Sequence, residues 1–198
     1  QLKSKGRQAA RKLAGSSLGQ RLIAATHEPD PEPEVSLDSW LDYCFAGPLG
    51  EIESSLAAGT RENPYELFRC LDDELWAVLL TKEYSGYPEI RKLLPGHPDP
   101  SLQIMWNGAT GIKLAAQSAA FYRKLHEVQA EFGPTSLAGS RVLDFGVGWG
   151  RLARFLARDL EPGNLYGCDP VEQILDVCRE AGLPAELEAG AVRIPVRA

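Results

Sequence analysis

The sequence predicts an α/β fold: a helical N-terminal region, followed by the opening β-α-β-α of a doubly wound parallel sheet. Three observations carry this. Up to about residue 132, apolar residues recur at helical spacing between Pro- and Gly-rich breaks. At Val142-Leu-Asp-Phe145 the pattern becomes a short apolar run, as a buried parallel strand requires. Three glycines then alternate, and a strand–helix unit repeats beyond them. The length of 198 residues at 44% hydrophobic composition supports a sizeable core and excludes wholesale disorder.

Residues 1–35 read as a basic segment and a Pro-rich linker. A weak stripe of Leu13, Leu18, Leu22 and Ile23 suggests a helix in the first part, against Gly6, Gly15 and Gly19. The run His27-Glu-Pro-Asp-Pro-Glu-Pro33 favours extended backbone, because proline fixes φ and removes donors. Residues 36–136 form the helical region. Ser36 caps a short helix through Trp40 and Phe45, which Phe45-Ala-Gly-Pro-Leu-Gly50 breaks. A longer helix is expected from Pro64 to about Tyr84, with Leu67, Phe68, Leu71, Leu75, Val78 and Leu79 on its apolar face. A shorter one covers Glu89 to Leu94, and Pro95-Gly-His-Pro-Asp-Pro100 is a loop. After Asn107-Gly-Ala-Thr-Gly111, a helix runs from about Ile112 to Phe132, burying Leu114, Phe121, Leu125, Val128 and Phe132.

Residues 137–198 carry the sheet. A helix from about Gly150 to Leu160 follows the first strand, and Asn164-Leu-Tyr-Gly-Cys168 is the second strand. Asp169-Pro170 opens a helix that buries Val171, Ile174, Leu175 and Cys178 and stops at Gly182 and Pro184. A third strand is expected at Val192 to Val196.

Charge and cysteine usage narrow the function. Residues 1–29 hold Lys3, Lys5, Arg7, Arg11, Lys12 and Arg21 against Glu28, a balance of +5 within a net charge of −6. The rest of the chain is therefore at −11, which repels phosphate backbones and makes nucleic acid an unexpected partner. The basic start reads as a solvated segment. Cys44, Cys70, Cys168 and Cys178 show no metal-ligand spacing, and His27, His97 and His126 are scattered, so no zinc site is expected. No secretory signal and no apolar run near the roughly 20 residues of a membrane span are present, and the thiols read as reduced in a cytoplasm.

The informative string is Asp144-Phe-Gly146-Val-Gly148-Trp-Gly150-Arg151, set between a strand and a helix. Such a turn needs residues without side chains so that a ligand can approach the backbone, and the following helix offers free N–H groups at its start. In an open parallel sheet, ligands bind in this crevice beyond the strand ends. A dinucleotide fingerprint is G-x-G-x-x-G/A, whereas the spacing here is G-x-G-x-G with the bulky Arg151 where the third glycine belongs. Asp144 sits beside the turn, where its charge repels a pyrophosphate and favours an amino group or sulfonium. Asp169 ends the second strand and suits the two hydroxyls of a ribose.

These residues resemble the class I S-adenosylmethionine-dependent methyltransferases, whose fold is Rossmann-like. Val142-Leu-Asp-Phe-Gly-Val-Gly-Trp-Gly-Arg151 is similar to the family's first motif, D-x-G-x-G-x-G, and Asp169 to its second-strand acid. The resemblance implies that the glycines wrap the methionine part of S-adenosylmethionine and that Asp169 holds the ribose. The candidate cofactor-binding residues are Asp144, Phe145, Gly146, Gly148, Trp149, Gly150 and Asp169. The family's sheet has seven strands, so the match looks truncated after the second strand–helix unit. The adenine contact and the fourth-strand segment, where substrate residues often lie, have no counterpart. With Met105 the only methionine and Gln1 at the start, the sequence reads as a piece of something longer.

The expected function is the cofactor-binding part of a methyltransferase acting on an unidentified, small-molecule acceptor. Two rivals stand beside it: a non-enzymatic, truncated cofactor-binding or interaction module, and a nucleotide-dependent oxidoreductase of Rossmann type. No catalytic base can be named, since nothing in the sequence brings Tyr43, Tyr122 or His126 to the turn. Trp149 suits packing as well as ligand stacking, Arg151 suits solvent or an acid partner, and Asp169 can also cap its helix. Asn107–Gly111 reads as a helix-entry loop, with closure over the cofactor as the sharper alternative.

Overall fold

A computed structural model describes residues 35–59, 61–133 and 136–190. The chain divides by packing into two units, Gln1–Ser36 and Leu37–Ala198. Every helix and strand of the described residues belongs to the second. The basic segment, its expected helix and the strand expected at Val192–Val196 lie outside the described residues.

The first helix, α1 (Leu37–Ala57), runs straight through Pro48. The expected break at Phe45–Gly50 is therefore corrected. Proline removes one N–H, and the burial of Leu41, Leu49 and Ile52 on one face outweighs that loss. Two acids of α1 organise what packs on it. Asp38 accepts the N–H groups of Ser85 and Gly86 (2.8 and 2.7 Å), and Glu53 accepts those of Glu89 and Ile90 (2.8 and 3.0 Å). Glu53 thereby satisfies the start of α3 (Pro88–Leu93), whose own N-cap residue Tyr87 supplies no side-chain bond.

The helix expected from Pro64 to Tyr84 is two pieces, a 3-10 segment at Pro64–Cys70 and α2 (Asp73–Thr81). The break falls where Leu71 is extended and Asp72 caps α2 by accepting the Leu75 N–H at 2.6 Å. An unforeseen helix, α4 (Pro100–Asn107), starts at the Asp99 cap and ends at left-handed Gly108. Helix α5 (Gly111–Phe132) matches its expected span, but its buried face is Leu114, Ala115, Ser118, Ala119 and Tyr122. Phe121, Val128 and Phe132 are exposed. The face is rotated because Tyr122 is drawn inward: its hydroxyl bonds Asp159 and receives a bond from the buried Arg158 at 2.7 Å.

The sheet has three parallel strands in the order β1 (Val142–Phe145), β2 (Leu165–Asp169), β3 (Glu186–Ala189). Parallel neighbours need crossovers. The first contains α6 (Ala153–Leu156) and the second α7 (Glu172–Glu180). The helix expected over Gly150–Leu160 is a single α turn flanked by tighter turns, with Phe155 and Asp159 bonding back three residues. The segment after Pro184 forms the strand that pairs with β2, which was not among the expected strands. Asp144 lies opposite Gly167, which lies opposite Leu187. A Cβ on Gly167 would stand 2.9 Å from Leu187 and 3.0 Å from Val147, so the glycine lets the turn after β1 pack onto β2.

Helices and sheet share one core. Trp76 of α2 is fully buried and donates its indole N–H to Phe155 O at 3.2 Å, and both belong to the cluster that includes Leu41, Leu165 and Leu175. The core therefore runs across residues 136 and 137, where the sequence passes from helical region to sheet.

His97 reports on this core. Its Nε2 is 2.6 Å from Leu80 O and its ring packs on Trp149, 5.3 Å between centroids. Burial first, and the Arg154 charge second, push it down to about 4. From pH 6.5 down to about 4 the unfolded chain binds a proton that the folded protein refuses, so stability falls as pH drops through that window. We expect His97→Gln to lose about 2–3 kcal/mol less than wild type between pH 7 and 4 in urea unfolding. Parallel pH profiles would remove His97 as the acid-sensitive group.

Candidate functional site

The site is built by the turn that follows β1. Gly146, Gly148 and Gly150 all have positive φ, the region closed to most side chains. They do different work. A Cβ on Gly146 or Gly148 would meet nothing within 4 Å, whereas one on Gly150 would lie 2.6 Å from Leu183. Gly146 and Gly148 therefore open the backbone to a cleft, and Gly150 lets the turn close against the chain after α7.

The turn is pinned by its own N–H groups. Gly146 and Val147 both donate to Cys168 O (2.9 and 3.0 Å), Gly148 donates to Asp169 Oδ2 (3.3 Å), and Gly150 donates to Val147 O (2.9 Å). These four donors are spent inside the protein. The helix expected behind the turn is shortened to α6, one turn long, so the turn does not lead into the N-terminus of a long helix.

The cleft has a volume of about 370 Å³. It is lined by Gly146, Val147, Gly148 and Trp149 of the turn, by Asp144, Arg151 and Leu152 on either side of it in sequence, by Ile174 of α7, and by Trp106 and Asn107 of α4. Of the seven residues expected to bind a cofactor, Asp144, Gly146, Gly148 and Trp149 line it. Phe145 does not; it is 79% exposed at the end of β1. Gly150 sits behind the wall, against Leu183.

Asp169 is 8% exposed, and both of its oxygens are engaged, one by Gly148 N–H and the other by Val171 N–H at 3.0 Å. It thus joins the glycine turn to the start of α7. A carboxylate offers about four lone-pair sites, so each oxygen retains capacity for another donor. Trp149 is 2% exposed; it packs with Ala109 and Leu114, and the Arg154 guanidinium lies 4.5 Å from its ring centroid. Its ring is used for packing, although its indole N–H has no partner.

Asp144 is half-buried at the C-terminal end of β1. Burial raises its carboxyl above the ordinary carboxylate range, while the Ala153 N–H and the Arg151 charge oppose the rise. The cleft therefore holds an acid whose negative charge is poorly solvated and favours a cationic ligand. Arg151, expected in solvent or beside an acid, lines the cleft and donates to Ser118 Oγ on α5 at 3.0 Å. Sequence spacing does not single out Trp106 and Asn107 as a pair, although the loop beginning at Asn107 suggests closure over a ligand. The signal that places them is the Asp99-Pro100 start and Gly108 end of α4.

The candidate proton-bearing residues lie elsewhere. Tyr43 is on the surface. Tyr122 and His126 both bond Asp159, which with Arg158 and Asp73 forms a network between α2, α5 and the end of the first crossover. Among the described residues no group of three or more His, Cys, Asp or Glu side chains is placed to hold a metal, and the four cysteines are unpaired. No described helix is long and apolar enough to cross a membrane. No family model, curated protein or solved structure matches the chain.

Substitutions in the turn and at its acid test these roles. Gly150→Ala adds a methyl in a strained φ and into Leu183, costing about 2–4 kcal/mol. Gly146→Ala carries only the strain, about 1–2 kcal/mol. Denaturant unfolding should rank them in that order, and equal losses would contradict the division of roles. For Asp144, the folded pKa is raised, so the ionised form is disfavoured by folding and stability declines as pH rises through the carboxylate range. Asp144→Asn should therefore unfold at a higher temperature than wild type at pH 7. A lower midpoint would show that the carboxylate stabilises the fold.

Proposed function

We propose that this chain is the cofactor-binding part of an S-adenosylmethionine-dependent methyltransferase with a Rossmann-like sheet, acting on a small-molecule acceptor in the cytoplasm. The observation that carries the reading is a cleft lined by both Gly146 and Gly148 and the Asp144 carboxylate. Three features support it. The parallel order β1-β2-β3 agrees with one half of a doubly wound sheet, and the cleft lies beside the carboxyl end of β1 and the glycine turn, where such sheets bind ligands. The acid in the cleft attracts an ammonium or sulfonium. The internal use of the turn's N–H groups disfavours a pyrophosphate, and with it the oxidoreductase reading.

The residues fit the cofactor's parts unequally. Gly146 and Gly148 leave room for a chain to lie against the backbone, and Asp144 offers charge to its amino end. Asp169 is nearly buried and outside the lining of the cleft, so its part in the reading is to hold Gly148 in place. When bound, the sulfonium supplies an already activated methyl group. The protein's task is then alignment and the exclusion of water, which Trp106, Leu152 and Ile174 serve as apolar walls. No side chain of the cleft is assigned as a base. The acidic body disfavours nucleic acid as the acceptor.

Calorimetric titration separates the classes. S-adenosylmethionine and S-adenosylhomocysteine should bind and NAD should not. Binding of NAD alone would end the methyltransferase reading, and binding of none of the three would end the cofactor assignment.

A further inference from the structure

We propose that the C-terminal half of α5 is a self-association surface, along which two copies of this chain pair antiparallel through Phe121, Leu125, Val128 and Phe132. The inference is independent of the cofactor reading.

These four residues recur at spacings of four, three and four, the pattern of helices that pack side by side along their length. Spacing alone predicts that they face the core. Instead Phe121 is 51%, Val128 46% and Phe132 74% exposed, and Leu125 is half-buried. The buried residues of α5 all lie at or before Tyr122. Residues 123–132 are nevertheless helical, and none of them is buried among the described residues. A helical stretch this short gains little from its backbone alone, and most of its stability comes from packing an apolar face. The fold described above leaves that face open.

The flanks of the seam decide what fits it. One flank is taken by the chain itself: Tyr122 is buried, and Gln129 donates to Ser140 Oγ at 3.3 Å. The other flank carries Lys124 and Glu131, seven residues apart. Lys124 pairs with Glu127 of its own helix at 2.8 Å and is still 69% exposed. A partner helix must therefore meet the flank of Lys124 and Glu131. Two copies bring this flank together only when they run antiparallel; a parallel pair sets it against the flank already occupied.

With the two-fold axis midway between Phe121 and Phe132, Leu125 of one copy faces Val128 of the other, and Phe121 faces Phe132. The same register puts Lys124 of each copy within reach of Glu131 of the other. Both flanking contacts then join unlike charges, so the surface is complementary to itself, as an isologous interface requires. The basic segment at residues 1–29, at +5, finds no such match on a flank with one charge of each sign. The seam covers about three turns of each helix, which places the pairing among the weaker interfaces.

Sedimentation equilibrium of the full chain over a range of micromolar concentrations should show monomer and dimer in exchange. Val128→Glu puts a charge at the centre of the seam and should leave monomer alone, with the helix content unchanged by circular dichroism because the site is exposed. Lys124→Glu and Glu131→Lys should each weaken the dimer about 10-fold, since each turns two attractive contacts into repulsive ones. Combining the two substitutions should restore it. Wild type that stays monomeric throughout overturns the proposal, as does a dimer that survives Val128→Glu. A double variant no tighter than the single ones overturns the antiparallel pairing.

Discussion

The guanidinium of Arg154 is 1% exposed, and among the described residues no carboxylate pairs with it. Burial pushes it down to about 9, so it remains charged at neutral pH. Removing such a charge from water costs several kcal/mol unless its donors are satisfied. They are satisfied by carbonyls: Gly150 O at 3.1 Å, Trp149 O at 3.2 Å and Gly96 O at 3.0 Å, with the face of Trp149 against the cation. Two of these carbonyls belong to the glycine turn and one to the loop after α3. Gly96 in turn donates to Ala181 O at 2.8 Å, just past α7. One buried cation therefore ties the turn, the helical region and the second crossover. None of them can shift without uncovering it.

This tie decides what the cleft presents to a ligand. Two carbonyls of the turn are drawn toward Arg154 and four of its N–H groups are used inside the protein, while Gly146 and Gly148 leave open space beside their Cα atoms. The open charges in the cleft are then those of Asp144 and Arg151. In the proposed reading, recognition therefore leans on these side chains beside the backbone, which is the phosphate-binding solution in such sheets.

Much of this was legible in the sequence, and the failures have local causes. The strand at Val142–Phe145, the turn with its three glycines and the acids at 144 and 169 follow from residue type and spacing, because a tight strand-to-helix turn restricts the chain strongly. The course of α1 through Pro48 was hidden, because one lost donor is a visible local cost while the burial of Leu49 and Ile52 is a distant gain. The rotation of α5 was hidden likewise. Its pattern of Phe121, Val128 and Phe132 is a plausible apolar face, but the bonds that pull Tyr122 inward come from Arg158 and Asp159, more than thirty residues away. The role of Arg151 needed Ser118. At the third strand, Glu186-Leu-Glu-Ala189 is poor in β-formers and largely exposed. It joins the sheet because the chain leaving α7 through Gly182 and Pro184 arrives beside Tyr166–Asp169 in register.

Asp144 and Asp169 show how far residue type alone carries the reading. Both are aspartates near the carboxyl ends of neighbouring parallel strands in the same sheet. Sequence spacing makes both of them ligand contacts, Asp144 to a cationic group and Asp169 to a ribose. Their surroundings separate them further. Asp169 is engaged by two backbone N–H groups, one of which fixes the turn, so its first effect is on the shape of the cleft. Asp144 is desolvated with its charge only partly answered by the Ala153 N–H and Arg151, so its first effect is on what enters the cleft. An acid that is satisfied by its own protein holds structure, and an acid left short of partners binds. By that measure the reading proposed above puts a ligand's cationic end at Asp144 and gives Asp169 the task of holding the turn that shapes the cleft.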